Sequence, residues 1–253
     1  MNRVIGMKTF QSEHRPKVLI MAQGQQRRLQ HHIDCPKHFV ELRGLPLIER
    51  TMTQLISHGI KDISIIAPRS SLWLQLSKTF SVKIKPLRAP GLGLLDGIYQ
   101  TSPMWAKRGR TVILLGDVVF SNNALKSILS DKGLIRFFGR LGPNRVTGCP
   151  YGELFGFSFF PSAHKPISDL LNDRLFRRQQ VNPGHFGQLW ALYYRLLESP
   201  CKSLLKSIED FTDDIDTPSD LMSIPRLLEA IIRDESPTSY RMACAEWMTI
   251  KDV

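Results

Sequence analysis

Short, unbroken apolar runs alternate along this chain with segments whose apolar residues recur at helical spacing. The clearest runs are KVLIMA at 17–22, DISIIA at 62–67 and TVILL at 111–115. Strands that are apolar on both faces are typical of a sheet covered by helices on both sides. Because helical patterns separate these runs, the sequence predicts an α/β fold with a mainly parallel sheet. Ligands of such folds lie beyond the carboxyl ends of the strands.

The same patterns predict most of the remaining elements. Further strands are expected at 82–85, 134–138 and 153–160, with a last short strand just before Asp216. Helices are expected at 46–58, 70–78, 92–102, 122–130, 163–176, 184–198 and 218–234. The segment 139–152 is rich in Gly, Pro and Arg and is predicted to be a loop. Asn122 is the expected N-cap of its helix.

Composition bounds the class of protein. With 253 residues, 42% of them hydrophobic, the chain can bury one sizeable core. No window is apolar enough for a membrane span, the first 16 residues lack the apolar core of a secretory signal, and the four cysteines form no CxxC pair. We therefore expect a cytoplasmic protein without a membrane partner. The net charge of +11 suits a polyanion, either nucleic acid or a small phosphorylated ligand.

A glycine-containing basic loop follows the first predicted strand. It reads Ala22-Gln23-Gly24-Gln25-Gln26-Arg27-Arg28-Leu29 and leads to Pro36-Lys37. Backbone N–H groups and cationic side chains in such a loop can cradle phosphates. A solvated basic loop is the competing interpretation, because short basic motifs are common by chance. The nearby His31, His32 and His38 lack a metal-ligand pattern, so surface or packing roles are expected for them.

Two acidic motifs fall where a ligand crevice is expected. Asp117 comes directly after the predicted strand at 111–115, and its carboxylate could hold a hard cation such as Mg²⁺. Asp216 belongs to the segment DDIDTPSDL at 213–221. Thr217 and the residues after it also have the pattern of a helix N-cap, which could fix the turn that presents Asp216.

These motifs, taken in order, resemble the nucleotidyltransferase superfamily, which includes sugar-phosphate, alditol-phosphate and molybdopterin nucleotidyltransferases. The superfamily signature is A-A-G-x-G-x-R-[LM], then P-K, and it is matched here by Ala22, Gly24, Arg28, Leu29, Pro36 and Lys37. The segment around Asp216 resembles the superfamily's D-I-D-T-P-E-D-L. Gln23 and Gln26 depart from the signature, since small residues are usual at both positions.

The resemblance implies a Rossmann-like three-layer fold of the nucleotide-diphospho-sugar transferase type. It implies a leader at 1–16 and one domain at 17–234, followed by an unassigned segment at 235–253. Residues 17–138 would bind the nucleotide and 139–234 the acceptor. The implied reaction is Mg²⁺-dependent transfer of a nucleoside monophosphate from an NTP to a small phosphorylated acceptor.

Site residues follow from the same resemblance. Arg28 and Lys37 would act in catalysis, and Asp117 and Asp216 would bind Mg²⁺. The nucleotide would contact Ala22, Gln23, Gly24, Gln26, Gly91 and Gly93, and the acceptor Arg140, Asn144 and Glu153. Two alternatives stay open: a catalytically altered relative that binds a nucleotide or RNA, and a glycosyltransferase with a related sheet. The base, the acceptor and the oligomeric state are not determined by these motifs.

Overall fold

A computed structural model of the protein describes residues 15–24, 28–29, 31–87, 93–144, 146–147, 149–173, 176, 187–197 and 204–234. The segment 235–253 and two predicted site residues, Gln26 and Gly91, lie outside the described residues. Within the described part of the chain, no helix is long and apolar enough to cross a membrane.

Seven strands form the central sheet. They are β1 (Lys17–Met21), β4 (Ile63–Ile66), β5 (Lys83–Lys85), β6 (Thr111–Leu115), β8 (Ile135–Arg140), β9 (Glu153–Phe159) and β10 (Leu205–Ser207). Their order across the sheet is β10-β8-β9-β6-β1-β4-β5. Neighbouring strands are parallel, except that β9 runs antiparallel to β6 and β8. The predicted mainly parallel, mixed sheet is confirmed.

Helices cover both faces of this sheet. They are α1 (Leu47–Ser57), α2 (Ser71–Phe80), α3 (Leu94–Gln100), α4 (Asn122–Ser130), α5 (His164–Asn172), α6 (Gln188–Leu197) and α7 (Pro218–Asp234). Successive side chains of a strand point to opposite faces. In β1, Val18 and Ile20 pack in one core with α1, α2 and α4, while Leu19 and Met21 pack in a second core with α3, α5 and α6. This confirms the predicted three-layer arrangement.

A third apolar cluster joins α7 to two small sheets. Strand β7 (Val118–Val119) pairs with β11 (Asp213–Asp214), and β2 (Glu41–Leu42) pairs with β3 (Leu45–Pro46), both antiparallel. The buried members of this cluster are Leu29, Leu42, Leu47, Val119, Ile215, Ile224, Leu227, Leu228 and Ile231. The cluster therefore holds Leu29, at the end of the basic loop, and Ile215, just before Asp216, on the same side of the molecule.

Two local predictions are wrong. Ser121, not Asn122, caps α4, because its Oγ accepts the Ala124 N–H at 2.8 Å. The predicted loop at 139–152 begins later, since Gly139 and Arg140 extend β8 beyond a register shift at Phe138. A Cβ at position 139 would lie 2.1 Å from the Glu153 carbonyl oxygen, so the glycine signals close strand approach here and not a turn.

Candidate active site

The strand order reverses between β1 and β6, which opens a crevice at their carboxyl ends. Residues 22–24 follow β1, and Gly116 and Asp117 follow β6. The Gly116 N–H donates to the Met21 carbonyl oxygen at 2.9 Å. Both loops therefore start side by side at the edge where ligands of this fold class bind.

Lys37 lies at the centre of the crevice. It opens a 3₁₀ helix, Lys37–Phe39, and only 5% of it is exposed. Its Nζ is 2.6 Å from Asp216 Oδ1 and also contacts Asp117 Oδ2. The more exposed Arg28 contacts the other carboxylate oxygen of Asp216. The structure thus brings together the four side chains for which catalytic and metal-binding roles are predicted.

Backbone contacts hold Asp216 beside Asp117. Strand β7, which follows Asp117, pairs with β11, which precedes Ile215 and Asp216. Next to this pair of strands, the Ile215 N–H donates to the Asp117 carbonyl oxygen at 2.9 Å. The Asp220 carboxylate accepts the N–H groups of Asp216 at 3.0 Å and Thr217 at 2.6 Å, while Thr217 Oγ1 accepts the Asp220 N–H at 3.3 Å. This reciprocal pair is a capping box, so the predicted cap at Thr217 is confirmed.

Mutual charge stabilises the ionised forms of this cluster. Burial alone would lower the pKa of Lys37, but the Asp117 and Asp216 carboxylates raise it above its ordinary value. Burial would raise the pKa of Asp117, but the charge of Lys37 and its hydrogen bond to the carboxylate lower it. Lys37 and Asp117 are therefore both charged at neutral pH, and the crevice presents fixed charges to a ligand.

Comparison with known proteins agrees with this geometry. Residues 18–133 match the model of the MobA-like NTP transferase domain. The match agrees with the resemblance of this stretch to the nucleotidyltransferase superfamily. The match contains the basic loop, Lys37 and Asp117, while Asp216 lies beyond it. No curated protein matches the chain.

Two solved structures with this fold are transferases that use CTP. The inositol-1-phosphate CTP transferase from T. maritima has a TM-score of 0.60 and 15% identity, covering 88% of this chain and 98% of its own. The CTP:phosphocholine cytidylyltransferase from Streptococcus pneumoniae has a TM-score of 0.61 and 16% identity, covering 85% of this chain and 100% of its own. At these identities the likeness shows a shared fold, which confirms the predicted fold class.

The residues of the crevice fit a divalent metal of the kind expected for the superfamily. Oxygens of Asp117 and Asp216 already flank one cation, the Lys37 ammonium, and carboxylate oxygens are the ligands that Mg²⁺ prefers. A second acidic group consists of Glu153, Asp213 and Asp214, whose ligand atoms lie within 4.8 Å of one another. We favour the first pair, because it lies at the carboxyl ends of β1 and β6, where ligands of this fold class bind.

In the second acidic group, the carboxyl groups of Glu153 and Asp214 have raised pKa values. Burial raises the pKa of Glu153 to about 9, with a further contribution from Asp213. Burial also raises the pKa of Asp214, and the charges of Asp216 and Glu153 raise it further. The Glu153–Asp214 pair therefore favours holding a proton at neutral pH, and a protonated carboxyl group is a poorer metal ligand than a carboxylate.

The structure shows where the predicted acceptor residues lie. Arg140 and Asn144 are each 5% exposed, so both are buried inside the protein. Asn144 Oδ1 accepts the backbone N–H groups of Val146 and Thr147, which folds the loop locally. Glu153 is half-buried and binds Arg140 at 3.1 Å. Acceptor contacts of these three residues stay predictions.

The predicted nucleotide side includes a contact that the sequence did not reveal. Ala22 is buried at the end of β1, and a Cβ at Gly24 would be 4.0 Å from Lys37 Cε. Gln23 Nε2 donates to the Gly93 carbonyl oxygen at 3.2 Å. Gln188 Oε1 accepts the N–H of Leu95, two residues after Gly93, at 3.1 Å. Gln188 has no motif around it, so only the structure identifies it.

The histidines have the expected placements. His31 and His32 are exposed, while His38 is buried with its ring centroid 5.6 Å from that of Trp73. Burial lowers the pKa of His38 to about 4. His38 therefore packs as a neutral ring behind Lys37 and Asp117.

Proposed function

We propose that this protein is a Mg²⁺-dependent nucleotidyltransferase that moves a nucleoside monophosphate from an NTP to a small phosphorylated acceptor and releases pyrophosphate. The observation that carries the proposal is the contact of Lys37 with both Asp117 and Asp216 at the carboxyl ends of β1 and β6. The match of residues 18–133 to the MobA-like NTP transferase domain supports the same reaction class.

In this reaction an oxygen of the acceptor attacks the α-phosphorus while the bond to the leaving pyrophosphate breaks. Such transfers need positioning and charge neutralisation more than a covalent nucleophile. Arg28 and Lys37 would neutralise the charge that develops on the α-phosphate and the pyrophosphate. If the attacking group is an ionised phosphate, it carries no proton at the attacking oxygen, so no general base is required.

Asp117 and Asp216 would hold Mg²⁺ in this proposal. A bound divalent ion would neutralise phosphate charge and orient nucleotide and acceptor. When the Mg²⁺–NTP complex enters, Lys37 would exchange its carboxylate partners for phosphate oxygens. The side chain can do so because the lysine stem is long and flexible.

The test is an NTP panel assayed for pyrophosphate release with phosphorylated alcohols, sugars and amino alcohols as acceptors. CTP is the first nucleotide to assay, since two of the neighbouring structures are transferases that use CTP. We expect turnover with one NTP, its loss with a metal chelator, and recovery with excess Mg²⁺.

Asp117→Asn tests the assignment of the site. We expect turnover to fall by roughly 10²-fold or more, as for the loss of other groups that stabilise transition-state charge. Asp62→Asn is the matched control, because Asp62 is an exposed carboxylate paired with Lys17 at 3.4 Å, at the opposite end of the sheet. Unchanged turnover in Asp117→Asn would refute the site.

The open alternative of an RNA-binding relative has a distinct signature. The net charge of +11 would then give metal-independent RNA binding that weakens steeply with salt. Isothermal titration with NTPs and with RNA, each with and without Mg²⁺, separates the two functions. Metal-dependent binding of one NTP supports the transferase.

A further inference from the structure

We propose that Arg140 is a positioning residue for the metal site: it fixes β11, and through β11 it places Asp216 beside Asp117. The inference rests on the proposed function, because it takes Asp117 and Asp216 as the metal-binding pair. It replaces the expected contact between Arg140 and the acceptor with a structural contact inside the protein.

The Arg140 guanidinium is occupied by oxygens from the protein. Nη1 lies 2.6 Å from Asp213 Oδ1 and 3.3 Å from the Thr212 carbonyl oxygen. Nη2 lies 3.1 Å from Glu153 Oε2, and Nε lies 3.1 Å from the Gly142 carbonyl oxygen. Every nitrogen of the side chain therefore has a partner, which leaves little capacity to grip an acceptor.

Arginine suits this position in a way that lysine does not. Its planar guanidinium presents five N–H donors in a fixed fork, so it can bind four oxygens from three segments at once. The guanidinium carbon Cζ of Arg140 lies over the Phe155 ring, 5.7 Å from its centroid, in a cation–π contact. A lysine at this position would keep the positive charge but would lack the planar set of N–H donors that contacts all four oxygens.

Asp213 is the residue through which Arg140 acts. It is 1% exposed, and it also accepts a hydrogen bond from Thr147 Oγ1. A carboxylate buried to this degree requires a cation and hydrogen-bond donors. Arg140 and Thr147 therefore hold the Asp213 carboxylate in place.

Only a short stretch of backbone separates Asp213 from the metal pair. Asp213 and Asp214 pair with Val119 and Val118 in the β7–β11 ladder, and the Ile215 N–H then binds the Asp117 carbonyl oxygen. A two-residue ladder resists displacement weakly. A shift at Asp213 would therefore reach Asp216, and metal sites lose affinity when supporting contacts are lost.

The experiment compares Arg140→Lys with Arg110→Lys. Arg110 is a matched control: it is 4% exposed and donates to the Ile128 and Leu129 carbonyl oxygens at 2.7 and 2.6 Å, beyond the amino end of β6. Two quantities are measured: Mn²⁺ binding to the nucleotide-free protein by electron paramagnetic resonance, and the Mg²⁺ and acceptor dependence of pyrophosphate release.

In Arg140→Lys we expect Mn²⁺ affinity to fall about tenfold and the half-saturating Mg²⁺ concentration to rise similarly, as for other residues that support metal ligands. The KM for the acceptor should change less than about twofold, and Arg110→Lys should leave the metal dependence unchanged. A raised acceptor KM with unchanged metal dependence would overturn the inference and make Arg140 an acceptor residue.

Thr147→Val removes a single hydrogen bond to Asp213 and serves if Arg140→Lys does not fold. It should shift metal affinity in the same direction by a smaller factor, and no shift would overturn the inference. Failure of the proposed function is recognisable separately. If the wild type binds Mn²⁺ without any NTP turnover, weaker Mn²⁺ binding by Arg140→Lys still supports the positioning role.

Discussion

Gln23 occupies a position where the superfamily signature has a small residue, and the structure shows where its extra atoms lie. A Cβ at Gly97 would lie 1.8 Å from Gln23 Nε2, so the carboxamide fills the space that Gly97 leaves open in α3. The side chain also binds the Gly93 carbonyl oxygen. The departure at position 23 is therefore accommodated by a glycine far away in the sequence.

This pair predicts a non-additive mutant cycle. Gly97→Ala should destabilise the protein by about 1–3 kcal/mol, because the new methyl group displaces the carboxamide. In a Gln23→Ala background the same change should be neutral or stabilising by up to about 1 kcal/mol, since alanine is the better helix former. Denaturant unfolding of the four proteins measures the coupling. Equal effects of Gly97→Ala in both backgrounds would contradict the packing described.

His38 predicts a pH dependence of stability. Its pKa falls from an ordinary 6.5 to about 4 in the folded protein, because the ring is buried. Between these values the unfolded chain binds a proton that the folded protein does not, so stability is lost as the pH falls from 6.5 towards 4.

His38→Gln removes this titration. Relative to wild type, the variant should gain roughly 2 kcal/mol in the free energy of unfolding between pH 7 and pH 4.5. Glu153 and the other titrating groups are present in both proteins, so the difference isolates His38. Denaturant unfolding at both pH values measures it, and parallel pH profiles would show that the imidazole accepts its proton inside the fold.

At the scale of elements, α7 determines where Asp216 lies. Strand β11 is two residues long, which is too short to be stable alone. The helix that follows packs its apolar face against Val119 and Ile215, and its capping box binds the Asp216 N–H. The turn that carries Asp216 is therefore held by the first turn of a helix.

Asp220→Ala tests this role of the cap. It removes the acceptor for two backbone N–H groups and a favourable charge at the helix N-terminus, so we expect a loss of about 1–2 kcal/mol of stability. Metal affinity should fall as well. Ser219→Ala, an exposed change in the same turn, should stay within about 0.5 kcal/mol of wild type. Identical unfolding midpoints for both variants would argue against the capping role.

At the scale of the whole molecule, the crevice joins segments far apart along the chain. Arg28 and its partner Asp216 are separated by 188 positions, and both lie at one edge of the sheet. A ligand that binds these segments together binds the folded chain and not the unfolded one. Binding therefore adds to global stability by mass action.

Mg²⁺–CTP at about 100 times its Kd should stabilise the protein by about 2.7 kcal/mol. For a chain of this size that is a rise in Tm of roughly 5–10 °C. Differential scanning fluorimetry of wild type and Asp117→Asn, with CTP alone and with Mg²⁺–CTP, measures the effect. We expect the variant to lose most of the shift, and an equal shift without Mg²⁺ would contradict a metal-bridged nucleotide.

Most elements were predictable because their determinants are local. The helix at 122–130, the strand at 111–115 and the helix at 218–234 have the predicted boundaries, since each is specified by its own apolar pattern and flanking residues. The motifs around Lys37 and Asp117 were also recognisable from the sequence, because each consists of neighbouring residues: a glycine-containing loop in one case and an aspartate directly after a strand in the other. Of the strands that are two or three residues long, β5 and β11 were predicted, whereas β2, β3, β7 and β10 were not, since so few residues carry no period.

The sequence by itself determined the fold class and the positions of the four charged residues along the chain. Only the tertiary structure decided which of those charges meet, that Gln23 packs over Gly97, and that Arg140 lies inside the protein bound to Asp213. Periodicity reports which face of an element is buried, whereas an ion pair or a close approach depends on two segments that fold next to each other.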